Sequence, residues 1–193
     1  MFTISLKEIE RVTLNMNHSE SENELESKQL IEALNLVEQG NSFVAEHKFN
    51  EAKECFKKSL NIYPTADAYT YLGWMYTYDG LYTEAIDLCF KAIELDPDFG
   101  NPYNDIGVYL MRLGKLESSI KWFIRASEAK RYEPIHFPHL NLAQVYLKQG
   151  KLSKALLHLE KVLSIVPNHE QSVKLKLLLE PIVNLDTQMD MVN

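Results

Sequence analysis

The side chains best suited to chemistry in this 193-residue chain are six histidines, two cysteines and a run of basic residues. His136 and His139 stand three apart, and His158 falls where the next helix would return beside them. Imidazole nitrogens ligate zinc, so these three form the sequence's metal candidate. Pro138 interrupts the pair, however, and His139 occupies a core-packing register. The expectation is a structural histidine pair and no metal. Cys55 and Cys89 lie on apolar helix faces, where a thiol acts as a small buried hydrophobe. Two cysteines do not make a disulfide scaffold.

Phosphate-binding and hydrolytic motifs are missing. Gly114-Lys115 and Gly150-Lys151 are each followed by leucine, not by the Ser/Thr of a phosphate loop. His169-Glu170 runs on into Gln-Ser-Val, without the second histidine of a zinc protease. The chain therefore reads as non-enzymatic, with no cofactor. Lys115, Lys121, Arg125, Lys130 and Arg131 make one basic stretch, read as a solvated face. An acidic partner is its functional alternative, although no stacking aromatics alternate with these charges as RNA binding would require. The net charge of −7 also argues against nucleic acid.

The composition is that of a folded protein, 46% apolar and 24% charged. No apolar run approaches the ~18 residues of a membrane span. The opening MFTISLKEIERV is broken by Lys7, Glu8, Glu10 and Arg11 and does not read as a secretory signal, so the expected compartment is the cytoplasm.

The elements that would position any site follow from the glycines and prolines. Gly40, Gly73 and Gly107 are spaced by 33 and 34, and Gly80, Gly114 and Gly150 by 34 and 36. Pro64 and Pro97 are 33 apart, and Ala52, Ala85, Ser119 and Ala155 keep the same step. Shared periods of this length mark a repeat array. Each period holds two apolar stripes at helical spacing, separated by a turn such as Asp79-Gly80 and ended by a stop such as Asp96-Pro97. A helix–turn–helix unit of this kind cannot bury its stripes alone, and stacking buries them.

The unit resembles the tetratricopeptide repeat, with its W-x2-L-G-x2-Y, A-x3-F and P pattern. Four repeats register at 33–65, 66–99, 100–135 and 136–169. The second carries the pattern as Tyr69, Leu72, Gly73, Tyr76, Ala85, Ala92 and Pro97, and the third as Tyr103, Ile106, Gly107, Ser119, Phe123 and Ala126. Gln39, His139 and Arg131 depart from it, and two extra residues in KRYEPIHFP should bend or loosen the third-to-fourth junction. The resemblance implies an all-α, right-handed α-solenoid of about four hairpins. Close helix crossings are expected at Gly40/Ala52, Gly73/Ala85, Gly107/Ser119 and Ala143/Ala155, where larger side chains would cost ~1–3 kcal/mol.

Residues 170–181 read as a C-terminal capping helix stopped by Pro181, with 182–193 as a frayed tail. Residues 1–32 carry seven acidic and three basic side chains and read as an acidic N-terminal arm, partly disordered. Within it, 15–24 is a linker, and Ser21 with Glu24 a capping box that starts the next helix. The apolar residues of 2–14 suggest a short amphipathic element, which a dimerisation or autoinhibitory arm would use.

In the resembling family the first helix of each repeat lines a concave groove, which implies a non-catalytic adaptor or scaffold holding a peptide or helix of a partner protein. Counting helical register gives the candidate groove residues. They are the aromatics Tyr71, Trp74 and Tyr78, the amides Asn104, Asn141 and Gln144, and the charged Asp105, Arg112 and Lys148. Relatives that hold the C-terminal tails of Hsp70 or Hsp90 clamp a carboxylate with lysine, asparagine and arginine. The matching positions here are Val37, Asn41, Tyr71, Asn101 and Asp105. Only Asn41 fits, and Asp105 would repel the tail, so no such binding is expected. The alternative reading is a secretion-type chaperone holding an unfolded client, suggested by small size, acidity and the N-terminal arm.

Overall fold

The computed structural model describes the backbone of residues 6–132 and 134–190, and the side chains of residues 23–132 and 134–185. The described residues form α1 (Leu6–Ala45), α2 (Phe49–Ile62), α3 (Ala66–Thr77), α4 (Tyr82–Leu95), α5 (Gly100–Arg112), α6 (Leu116–Glu128), α7 (His136–Lys148), α8 (Leu152–Ile165) and α9 (Glu170–Asp190). No strand occurs among them; an isolated parallel bridge joins Phe99 and Arg131. The chain divides into two compact units after Ala68.

In the first unit α1 and α2 pair as a hairpin. Gly40 lies flat against the Phe56 ring, and a Cβ added there would stand 2.5 Å from Cε1. Buried Ser59 donates its hydroxyl to the Ala33 carbonyl across the pair at 2.9 Å. The interhelix turn puts His47 in the left-handed region at φ 59°.

Two sequence expectations fail in this unit. Residues 15–24 are not a linker but part of the 40-residue α1, which makes Ser21 an interior residue and not a helix cap. The segment contains neither glycine nor proline. Once the turns carrying buried Ala33, Val37 and Gly40 are fixed against α2, each further residue adds a backbone hydrogen bond without a new nucleation cost. Phe2 and Ile4 of the expected amphipathic element lie outside the described residues.

The second unit stacks three hairpins and a final helix. Their turns place Gly80, Gly114 and Gly150 at φ 74°, 75° and 69°, where an L side chain is strained. In each turn the residue after the glycine donates its N–H five residues back: Leu81 to Tyr76, Lys115 to Leu110 and Lys151 to Tyr146. That bond closes the helix end. A Cβ on Gly73 would come 3.1 Å from the Ala85 carbonyl, so α3 and α4 cross backbone to backbone. A Cβ on Gly107 would come 2.5 Å from the Phe123 ring. The glycines thus admit the aromatic four residues beyond the expected small partner, Phe56 after Ala52 and Phe123 after Ser119. Where the ring is replaced by Leu159, alanine suffices at 143; both are buried in the core of the last hairpin.

The third-to-fourth junction, expected to bend or loosen the stack, is tied to the start of the third repeat through Arg131. Arg131 donates its N–H to the Asp98 carbonyl, and Gly100 donates its own to the Arg131 carbonyl, both at 2.9 Å. The Arg131 guanidinium reaches Asp96 through two nitrogens, at 2.9 and 2.7 Å, and lies 3.7 Å from the centre of the Phe99 ring. Tyr132 packs against the bare Cα of Gly100, so the two extra residues fold back onto the start of α5.

Pro181 does not stop α9. The helix runs through it to Asp190, which takes in the expected frayed tail up to that residue. A proline inside a helix loses one hydrogen bond and crowds the preceding turn, at roughly 3 kcal/mol. Here Pro181, Leu177, Leu178 and Ile182 are all exposed, which leaves space for the ring and lets solvent reach the freed carbonyl. The opposite face buries Leu179 and part of Leu175 against the last hairpin, covering its apolar side.

Candidate functional site

The first helices of the second unit's hairpins, α3, α5 and α7, lie side by side and present the residues their helical register turns away from the second helices. They enclose a cavity of about 420 Å3. Thr70, Tyr71 and Trp74 of α3 form one wall and Phe137 of α7 another. Asn101, Asn104 and Asp105 of α5 form the floor, and Tyr132 and Pro134 of the junction close one side. A second cavity of about 210 Å3 follows along the same helices. It is lined by Val108, Met111 and Arg112 of α5 and by Asn141, Gln144 and Lys148 of α7.

Of the nine residues that the sequence places in the groove, Tyr71, Trp74, Asn104 and Asp105 lie in the first cavity and Arg112, Asn141, Gln144 and Lys148 in the second. Tyr78 lines neither. It is 51% exposed and sits against Trp74, ring centres 6.1 Å apart. Trp74 itself is 38% exposed, so its indole is a groove wall and not hairpin core. The two cavities are joined by a hydrogen bond from Asn141 Nδ2 to Asn104 Oδ1 at 2.9 Å, which fixes the amide orientations across α5 and α7. Tyr132 and Pro134 escaped the sequence reading because they belong to the junction that departs from the repeat.

Among the described residues Asp105 is the one charged side chain that lines this cavity. Burial pushes its carboxyl up to about 7, against a smaller downward effect of a hydrogen bond from Asn104. Cys89 of α4, Tyr109 of α5 and Tyr132 are themselves held neutral, first by burial and then by the Asp105 charge. Among the described residues no lysine, arginine or histidine pairs with Asp105. Arg112 and Lys148 are likewise without a carboxylate partner among them. The groove therefore has an acidic, aromatic end and a basic, amide-rich end.

The other candidates are spent on packing. His139 and His158 face each other with Nδ1 atoms 3.4 Å apart, and Tyr146 stacks on His158. Burial lowers both histidines, His158 to about 4, so the pair is neutral at pH 7 and one ring donates to the other. His136 stands instead beside His169, ring centres 5.9 Å apart. No group of three metal-ligating residues forms among the described residues. Within the basic stretch Lys130 pairs with Asp98 and Arg131 with Asp96, while Lys121 and Arg125 lie over Trp122. Cys55 and Cys89 are free and buried. No helix of the described residues is long and apolar enough to cross a membrane.

Residues 66–99 and 136–169 each match the tetratricopeptide repeat family. The chain thus carries two tetratricopeptide repeats, the unit of a class of protein-interaction modules. No curated protein sequence matches it. Among solved structures it resembles the Pseudomonas aeruginosa pilF protein, at 21% identity and a TM-score of 0.74, over 86% of this chain and 72% of that one. YrrB, described as a tetratricopeptide protein with an unusual peptide-binding site, aligns at 23% identity and a TM-score of 0.61, over 83% and 87% of the two chains. The first such domain of Spaghetti (RPAP3), solved with the Hsp90 peptide SRMEEVD, aligns at 23% identity and a TM-score of 0.55, over 62% and 94%.

Proposed function

We propose that the protein is a non-catalytic adaptor that holds a peptide or helix of a partner protein in the groove of α3, α5 and α7. The observation that carries this reading is the placement of Trp74. A large indole, more than a third exposed, walls a cavity beside ordered amides, where hairpin packing does not require it. Aromatic anchors of this kind supply most of the energy of small interfaces. YrrB and the Spaghetti domain, which are associated with peptides, share the fold and add support. A client-holding chaperone needs a surface that accepts any apolar segment. The Asn104–Asn141 bond and the charges at both ends favour ordered recognition instead. We place the protein in the cytoplasm, a reading supported by its two free, buried thiols.

The test is a selection of random dodecapeptides on the immobilised full chain, with the winners titrated against wild type and Trp74→Ala. Micromolar binding is expected, because the interface is small. Trp74→Ala should lose about 2 kcal/mol of affinity, roughly thirtyfold, with a thermal midpoint close to wild type. A stability loss with unchanged affinity would make Trp74 a packing residue and move the site elsewhere.

A further inference from the structure

Resting on the groove reading above, we propose that the cavity walled by Tyr71, Trp74 and Phe137 is a subsite for one basic side chain, lysine or arginine, of the partner segment, with Asp105 as its counter-ion. Charge complementarity and ring chemistry both select this occupant. Among the described residues its lining holds one charged group, the Asp105 carboxylate, and four aromatic rings, those of Tyr71, Trp74, Tyr132 and Phe137. Ring faces attract cations, tryptophan most strongly, and the attraction grows when the site is shielded from water. The stem of a lysine or arginine is apolar and packs along the same walls.

Asp105 is also short of a cation among the described residues, although it accepts a hydrogen bond from Asn104. A carboxylate in this state is destabilised in its charged form, and a ligand cation relieves that directly. Arg112 and Lys148 line the neighbouring cavity. Arg112 is seven residues beyond Asp105 on α5, about 10 Å along the axis, too far to neutralise it. An acidic side chain entering the first cavity would face Asp105 with no compensating base.

The carboxyl near 7 gives the proposal a pH signature. A cation binds the ionised form, so its affinity rises as Asp105 loses its proton, by about tenfold from pH 6 to pH 8. Among the described residues the titratable groups around Asp105 are Tyr71 of α3, which shares the cavity, and Cys89 of α4, Tyr109 of α5 and Tyr132 of the junction, the last three pushed upward away from this interval. His136 of α7 adjoins Phe137 and is lowered by burial and by His169, so a His136→Gln control is included.

The experiment uses positional-scanning decapeptide libraries, with one fixed residue in an otherwise random chain, on the full-length protein. Mixtures fixed as lysine or arginine should bind at least tenfold better, at one position, than those fixed as norleucine or glutamate. The preference should grow from pH 6 to pH 8 in wild type and in His136→Gln. It should vanish in Asp105→Asn, where lysine and arginine mixtures fall to the level of norleucine, and Asp105→Lys should turn it toward glutamate. Equal binding of lysine and norleucine mixtures, still lost in Trp74→Ala, would overturn the basic subsite and leave the groove reading standing. A lysine preference that survives Asp105→Asn would overturn it as well. Binding of no library at all would overturn both.

Discussion

Replacing Asp105 by asparagine should make the protein more stable, and only at neutral and alkaline pH. The carboxyl titrates near 3.8 when exposed and near 7 in the fold, chiefly because burial disfavours its charge. The folded state therefore holds the proton more tightly than the unfolded chain. As pH rises from about 4 to 7 the unfolded chain sheds it first and gains relative to the native state. Stability attributable to Asp105 is intact below the unfolded value and is lost across that window. About three units at ~1.4 kcal/mol each set a ceiling near 4 kcal/mol. The residue is only partly buried and opens onto a cavity, so solvent screening reduces this to about 1–2 kcal/mol. Asparagine keeps the shape and can still bond Asn104.

Urea titrations of wild type and Asp105→Asn at pH 8 and pH 4 measure the difference. The variant should gain the predicted stability at pH 8, with a thermal midpoint roughly 3–6 °C higher, and almost none at pH 4. Equal denaturant slopes would show that the unfolding reaction itself is unchanged. A variant less stable than wild type at pH 8, or a difference independent of pH, would refute the reasoning, since Asp105 would then be stabilised as a carboxylate by a partner the structure does not contain.

Other outcomes follow from the same geometry. His158 is held near 4 against an ordinary 6.5, so the unfolded chain takes up the proton first as pH falls. Wild type should lose about 1–2 kcal/mol more than His158→Gln between pH 7 and pH 4, read from denaturation midpoints. His47→Gly should stabilise the first hairpin by about 1 kcal/mol, because a glycine adopts φ 59° without the side-chain clash; a calorimetric midpoint that falls would contradict this. Gly107→Ala should cost ~1–3 kcal/mol by driving a Cβ into the Phe123 ring. Adding Phe123→Leu should recover part of that loss, because the fourth repeat already combines Ala143 with Leu159. An additive double mutant would show that the two positions do not meet.

The parts of this fold that can be read from sequence are those where geometry admits few residue types. The turns require left-handed backbone, and three of four express it as glycine, which made one ladder visible; the fourth uses His47 and breaks the ladder in sequence but not in structure. The crossing glycines are equally legible. Gly73 meets Ala85 as the spacing predicts, whereas Gly40 and Gly107, spaced to meet Ala52 and Ser119, make room for Phe56 and Phe123 one turn further on. Where many residue types satisfy the backbone, the reading failed. A polar stretch without glycine or proline, such as 15–24, is loop or helix according to whether a folded turn lies beside it to extend. Pro181 stops a helix only when the helix lacks other reasons to continue, and here Leu175 and Leu179 anchor the preceding turns.

The groove divides along the same line. Helical register alone places Trp74, Asp105 and Asn141 on the faces turned away from the second helices, because that count depends only on the position of the packing glycine or alanine. What Asp105 experiences there depends on neighbours from other repeats: Cys89 behind it, Tyr132 folded back from an irregular junction, and the α3 wall carrying Tyr71 and Trp74. None of these contacts has a fixed sequence spacing. An array built of near-identical hairpins derives its stability from the positions that repeat, so the sites free to differ between repeats are the ones available for recognition. Asp105 occupies such a site at a cost to folding. A carboxylate that weakens the array while facing an aromatic cavity is explained by what enters the cavity, since nothing in the hairpin itself requires it.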